Sequence, residues 1–106
     1  MSALGRPYQF AAAGPYAFDC SGLTMWAWAH AGVSLPHTAA GQMASVRRVS
    51  MSALMPGDLI FMGYGYIHHV GIYVGGGMII HAPHSGTVVK LDPLSYFGDI
   101  AGAGRP

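Results

Sequence analysis

Glutamate is absent from these 106 residues, and the only acids are Asp19, Asp58, Asp92 and Asp99. Glycoside hydrolysis needs two carboxylates flanking one bond, and four scattered aspartates support it poorly. Charge of either sign is scarce, at 8% of residues with a formal net charge of +1. A nucleic-acid partner would require a clustered basic patch. The one adjacent basic pair, Arg47-Arg48, reads instead as a solvated surface pair. With Cys20 as the single cysteine there is no internal disulfide. In a secreted protein such a residue is a candidate reactive thiol, and in a cytosolic one it is often a small core residue. No apolar run reaches the ~18 residues that a membrane helix needs. The opening Met-Ser-Ala-Leu-Gly-Arg-Pro lacks the basic-then-apolar order of a signal peptide. The expectation is therefore no membrane span, no nucleic-acid partner, and export, if the domain works outside the cell, by something this sequence does not carry.

What is present is apolar residues, at 52%, and histidine, at positions 30, 37, 68, 69, 81 and 84. The first predicts a packed globule, one domain over residues 1–106. The second directs the search for function toward imidazole chemistry. Gly5 to Pro15 reads as an irregular lead-in. Asp19 is placed to cap a helix from Cys20 to Ala31 that Gly32 ends. Its apolar residues lie on several faces, which predicts burial on most sides. Leu35-Pro36 breaks the chain, and Thr38 caps a short helix through Met43. Pro56-Gly57-Asp58 is a turn into an apolar run from Leu59 to Met62. Runs from His69 to Val74, Met78 to Ala82 and Thr87 to Leu91 follow, split by glycine and proline. This is the pattern of an antiparallel meander, and helices followed by strands predict an α+β fold.

Cys20 stands at a predicted helix start, where unpaired amides and the helix dipole favour thiolate. Gly22 leaves room for another backbone or a substrate to approach. A buried structural cysteine is the competing reading. His69 and His81 bear on the choice, because a thiol attacks a carbonyl well when a base takes its proton and a third group orients that base. If Gly75 to Gly77 form a three-residue hairpin loop, Gly71 faces His81 and His69 lies diagonally on the same face. A two-residue loop sends the two histidines to opposite faces. One core histidine and one surface histidine would equally satisfy the sequence. A zinc site drawn from His68, His69, His81 and His84 lacks a supporting motif, and adjacent His68 and His69 point to opposite strand faces. His30 and His37 have no comparable support and are expected to be structural or exposed.

Asp19-Cys20-Ser21-Gly22, His69-Val70-Gly71-Ile72-Tyr73-Val74-Gly75 and Ile80-His81-Ala82-Pro83 together resemble the signature blocks of the NlpC-type cell-wall peptidases. Leu54 to Phe61 resembles the strand before the histidine block, and Arg6-Pro7-Tyr8 with Gly14-Pro15 the approach to the nucleophile. The resemblance covers roughly residues 4 to 98 and is nearest in character to actinobacterial secreted endopeptidases. It implies a papain-like α+β core in which the nucleophile helix packs on a small antiparallel sheet. It further implies hydrolysis of peptidoglycan stem peptides between D-γ-glutamate and meso-diaminopimelate or lysine. In that scheme Cys20 is the nucleophile, His69 the base and then acid, and His81 the orienting third member. Tyr8 falls near the oxyanion, and Asp19 and Ser21 help to bind substrate. No metal or organic cofactor is implied, and a secreted or cell-envelope location is. Two departures stand out. Ala11-Ala12 replaces a usual glycine pair, which is expected to shift the oxyanion side, with Phe10 where tryptophan is common. The resemblance also implies that the chain begins where the family's first helix should be ending. Those departures motivate a rival reading, a peptidoglycan-binding module without turnover. A papain-like amidase that cuts a different bond is a third.

Overall fold

The computed structural model describes residues 3–106. Met1 and Ser2, which open the expected domain and the segment read for a leader, lie outside the described residues. Helix α1 spans Cys20–Ala29 and helix α2 Ala39–Ser45, followed by strands β1 Arg47–Val49, β2 Leu59–Met62, β3 His69–Gly75, β4 Met78–His81, β5 Lys90–Pro93 and β6 Ile100–Arg105. All strand pairings are antiparallel, in the order β1-β6-β2-β3-β4-β5. The fold is α+β, with a β2–β5 meander as expected and two further strands. No helix among the described residues is long and apolar enough to cross a membrane.

Strand alternation divides the core. Leu59, Phe61, Val70, Ile72 and Ile80 pack with Phe18 and Leu23 on the helix side, while Ile60, Met62, Ile79 and Ala103 form a second cluster. Both caps form as the sequence predicts: Asp19 accepts from the Gly22 amide and Thr38 from the Gly41 amide. Helix α1 ends two residues early, and Gly32 takes a φ of 79° just beyond it. Its burial differs from expectation. Ser21 to Thr24 are buried, Met25 to Trp28 only partly, and Ala29 is exposed. The first turn is enclosed because Gln42 of α2, itself fully buried, donates to the carbonyls of Ser21 and Pro36 and accepts from Thr24. The later turns pack on the core but stay only partly covered, with Trp28 Nε1 donating to the Gly57 carbonyl at 3.1 Å.

The lead-in is irregular but anchored. Gly5 and Tyr8 amides donate to the carbonyls of Val89 and Thr87, and the Val89 amide donates back to Arg6. That pairing takes residues 87–89 away from β4, so β5 begins three residues later than the predicted run. Strand β6 was not predicted at all. Its Gly102 and Gly104 give no strand pattern, yet they are what admits it: added Cβ atoms would lie 2.5 Å from Arg48 Nη2 and 2.2 Å from Val46 Cγ2. Arg105 at its end holds buried Asp58 by two hydrogen bonds, at 2.7 and 2.8 Å, tying β6 to the turn before β2. Arg47 and Arg48 are exposed, as a solvated pair should be.

Candidate active site

Cys20 is the first residue of α1, where capping of the Gly22 amide by Asp19 at 2.6 Å starts the helix. Gly22 does admit a backbone: an added Cβ would lie 2.0 Å from the Ala12 carbonyl oxygen. That oxygen also accepts from the Asp19 amide at 2.8 Å, so the lead-in is held against the helix start. The Cys20 sulfur faces the backbone amide of Val70, the residue after His69. A helix N-terminus and the first residues of β3 thus meet at the thiol.

The histidines come together by a route the sequence did not show. Gly76 and Gly77, with φ of 62° and 76°, form a two-residue turn closed by Gly75 opposite Met78, not a three-residue loop. Alone, that turn would separate the two histidines. A register shift between Tyr73 and Gly75 inserts Val74 as an extra residue and restores the offset. Ile72 then faces Ile80, which brings Gly71 level with His81. A side chain at 71 would not fit, since its Cβ would lie 2.5 Å from Ile79 and 3.3 Å from His81 Cβ. His69 Nε2 lies 2.8 Å from His81 Nδ1. Phe97 packs on both rings, with centroids 6.4 and 5.0 Å away. The line continues beyond the predicted residues, as His81 Nε2 lies 2.7 Å from Asp92 Oδ2 and Lys90 Nζ 3.5 Å from the same oxygen.

The electrostatics correct one expectation. Burial pushes the Cys20 thiol up, and the negative charge of Asp19 adds to it, against the amides of Val70, Ser21 and Cys20 itself. The helix start favours thiolate, but desolvation outweighs it. Burial likewise pushes His69 down to about 4, with repulsion from His81, His68 and His84 adding and Asp99 opposing. Burial also lowers His81, against its hydrogen bond to Asp92. The resting site at neutral pH is therefore a thiol beside neutral imidazoles, not an ion pair.

Unfolded, His69 titrates near its ordinary 6.5, and folded near about 4. Between these values the unfolded chain binds the proton and the native one does not, so stability is whole above the upper value and falls toward the lower. The loss expected from His69 is about 3 kcal/mol. Urea unfolding at pH 7.5 and pH 4.5 measures it, and His69→Asn should remove most of the difference. Equal pH dependence in both proteins would refute the assignment.

Cys20, His69, His81, Tyr8, Asp92 and Phe97 share a cleft of about 300 Å³. A second cleft on the other side of the thiol, of about 320 Å³, is lined by Tyr8, Asp19, Cys20, Ser21, Phe10 and His37. Tyr8 borders both, and burial, followed by Cys20 whenever its thiol ionises and by the charge of Asp19, raises its hydroxyl and keeps it protonated. Asp19 and Ser21 face the second cleft while serving the fold. Asp19 accepts from the Ala11 amide at 2.9 Å and from His37 Nε2 at 2.9 Å, and the Ser21 hydroxyl stands 3.5 Å from it. Sequence reasoning missed Asp92 and His37. A Lys-x-Asp alternation was visible for Asp92, but nothing local linked it to His81, and nothing local linked His37 to Asp19. His30 is exposed and bonded to the Trp26 carbonyl at 2.8 Å. Among the described residues no three His, Cys, Asp or Glu side chains gather as a metal-ligand set.

Ala11 takes a left-handed φ of 63°, a costly conformation for a residue that carries a Cβ. The bond from its amide to Asp19 compensates for the strain. Ala11→Gly is expected to raise stability by about 1 kcal/mol, read as a shifted denaturation midpoint. A loss of stability would show that the strain is absent.

A thiol at a helix start, set against an imidazole pair on an antiparallel sheet, defines the architecture of this site. The chain belongs to the NlpC/P60 family, whose sequence pattern matches residues 5–99. It is 51% identical over 92 residues to the probable endopeptidase p60 of Listeria monocytogenes, covering 86% of this chain and 19% of that protein. Its fold is similar to that of NlpC1 from Trichomonas vaginalis, with a TM-score of 0.92 and 31% identity over 97% of this chain and 40% of that one. The NlpC/p60 domain of the peptidoglycan hydrolase SagA gives a TM-score of 0.89 and 33% identity, covering 98% of this chain and 90% of that one. The chain thus spans about a fifth of the length of the Listeria relative.

Proposed function

We propose that this chain is a cysteine endopeptidase domain that hydrolyses peptidoglycan stem peptides at the D-γ-glutamyl–meso-diaminopimelate bond. The observation that carries the reading is the hydrogen-bonded pair His69–His81 opening into the same cleft as Cys20. The names of the relatives, a probable endopeptidase and a peptidoglycan hydrolase, support the substrate class. They also support action in the cell envelope.

In this reading His69 Nε2 is engaged by His81, so Nδ1 takes the thiol proton as the sulfur attacks the carbonyl carbon. The resulting oxyanion is held by the Cys20 amide and the Tyr8 hydroxyl. Collapse expels the amine of the diamino acid, which leaves with the proton from His69. Water, deprotonated by His69, then hydrolyses the thioester and restores the thiol. His81 orients His69 throughout. Asp19 and Ser21 shape the cleft that receives the acyl side.

Mass-spectrometric digestion of purified muropeptides, with Cys20→Ala alongside, tests the reading. A cut between D-glutamate and diaminopimelate that the variant lacks is expected. Release of muramic acid from L-alanine would make it an amidase instead. Binding without any cut by the folded chain would make it a binding module.

A further inference from the structure

We propose that Asp92 is a positioning residue that sets the direction of the proton chain through His81 and thereby leaves Nδ1 of His69 bare as the base. The inference rests on the peptidase reading above for its consequence in turnover, and on geometry for the proton arrangement itself. His69 Nε2 and His81 Nδ1 are 2.8 Å apart, so one proton lies between them, carried by either ring. In one arrangement His69 Nε2–H donates to His81, and His69 Nδ1 is an open lone pair. In the other, His81 Nδ1–H donates to His69, and the proton of His69 sits on Nδ1, where it blocks acceptance of the thiol proton. Two neutral imidazoles by themselves do not select between these.

Asp92 selects. Its Oδ2 lies 2.7 Å from His81 Nε2, and a carboxylate only accepts. His81 must then carry its proton on Nε2, which leaves Nδ1 as an acceptor toward His69. The second arrangement would set the His81 lone pair against the carboxylate at 2.7 Å, too close for a bridging water, in a site where His81 is 2% exposed. Three features fix Asp92 or the imidazoles it serves. Lys90 Nζ stands 3.5 Å from the same oxygen, the β4–β5 register places Lys90 opposite His81 and Asp92 opposite Ile79, and Phe97 packs on both imidazoles from above. Although burial raises the Asp92 carboxyl, its bond to His81 and the charge of Lys90 together hold it below its ordinary value. A neutral imidazole pair is thus converted into a directed relay by one carboxylate on the neighbouring strand. The same charge stabilises the imidazolium that forms when His69 takes the proton.

Nitrogen-15 NMR of the histidine rings at pH 7, in wild type and Asp92→Ala, reads the arrangement without any substrate. Wild type should show His69 and His81 both as the Nε2–H form, and Asp92→Ala a mixture. In muropeptide turnover Asp92→Ala should lower kcat by roughly 10- to 100-fold with KM nearly unchanged. Asp92→Asn, whose carbonyl can still accept from His81 Nε2–H, should retain more of kcat than Asp92→Ala. Asp92 lies on an edge strand, and the melting temperature of each variant checks that it is folded. Unchanged ring signals together with kcat within about twofold of wild type would overturn the proposal. If wild type cleaves nothing, the peptidase reading fails, while the ring signals still decide the role of Asp92.

Discussion

Cys20→Ala should abolish muropeptide cleavage, lowering kcat by on the order of 10⁴-fold or more, with the fold intact. In the proposed mechanism the thiol forms the only covalent bond to substrate, and this chain has no other cysteine to replace it. Its side chain is half-buried and small, so its loss should cost little stability. His69→Ala should be nearly as severe, because the thiol is held up by burial and, in the proposed mechanism, His69 is the base that takes its proton. In the proposed mechanism the two act as one unit, so the double variant should be no worse than Cys20→Ala alone. Single-turnover assays on a purified muropeptide measure all three. Additive losses in the double variant would mean that His69 does not serve the thiol.

Gly22→Ala should be among the most damaging single methyl additions in the described residues. Its Cβ would lie 2.0 Å from the Ala12 oxygen, 2.9 Å from the Ala12 carbonyl carbon and 2.7 Å from Asp19 Oδ1. Two of those atoms are backbone, so no rotamer change relieves the overlap. The helix start or the lead-in must move, and the lead-in carries both Tyr8 and the Ala12 acceptor for the Asp19 amide. The expected cost is about 3 kcal/mol, at the upper end of overpacking, with kcat falling because the Cys20 amide and Tyr8 lose their mutual placement. Gly32→Ala is the contrast. It has a φ of 79° but nothing within 4 Å, so only left-handed strain, about 1 kcal/mol, is expected, with turnover unchanged. Denaturation midpoints and kcat of the two variants separate packing at the site from backbone strain away from it. Equal costs in both would remove the argument for close approach at Gly22.

Much of this site is legible one segment at a time. Asp19 before Cys20 announces a capped helix, because an N-cap bond spans three residues and depends on little else. The β2–β4 meander follows from apolar runs bounded by glycines, whose positive φ at Gly75, Gly76 and Gly77 permits the tight reversal. Helix position and strand alternation single out Cys20, His69 and His81, and the family resemblance implies their roles.

Other features were decided by contacts that no local pattern encodes. Whether His69 and His81 share a face turned on one bulged residue, Val74, since each single-residue shift inverts every side chain beyond it. The ionisation of Cys20 followed from desolvation, a property of what packs around it, and so reversed the tendency of its helix position. Strand β6 is hidden by the glycines that let it pack between β1 and β2. Asp92 reaches His81 across a strand pairing, and His37 reaches Asp19 across a loop and a helix, at separations of 11 and 18 residues. The sequence by itself determined which groups are available and where the backbone turns, because those depend on interactions within a few residues. Only the tertiary structure decided which groups meet, in which order a proton chain runs and which charges burial permits, because those depend on register and solvent exclusion.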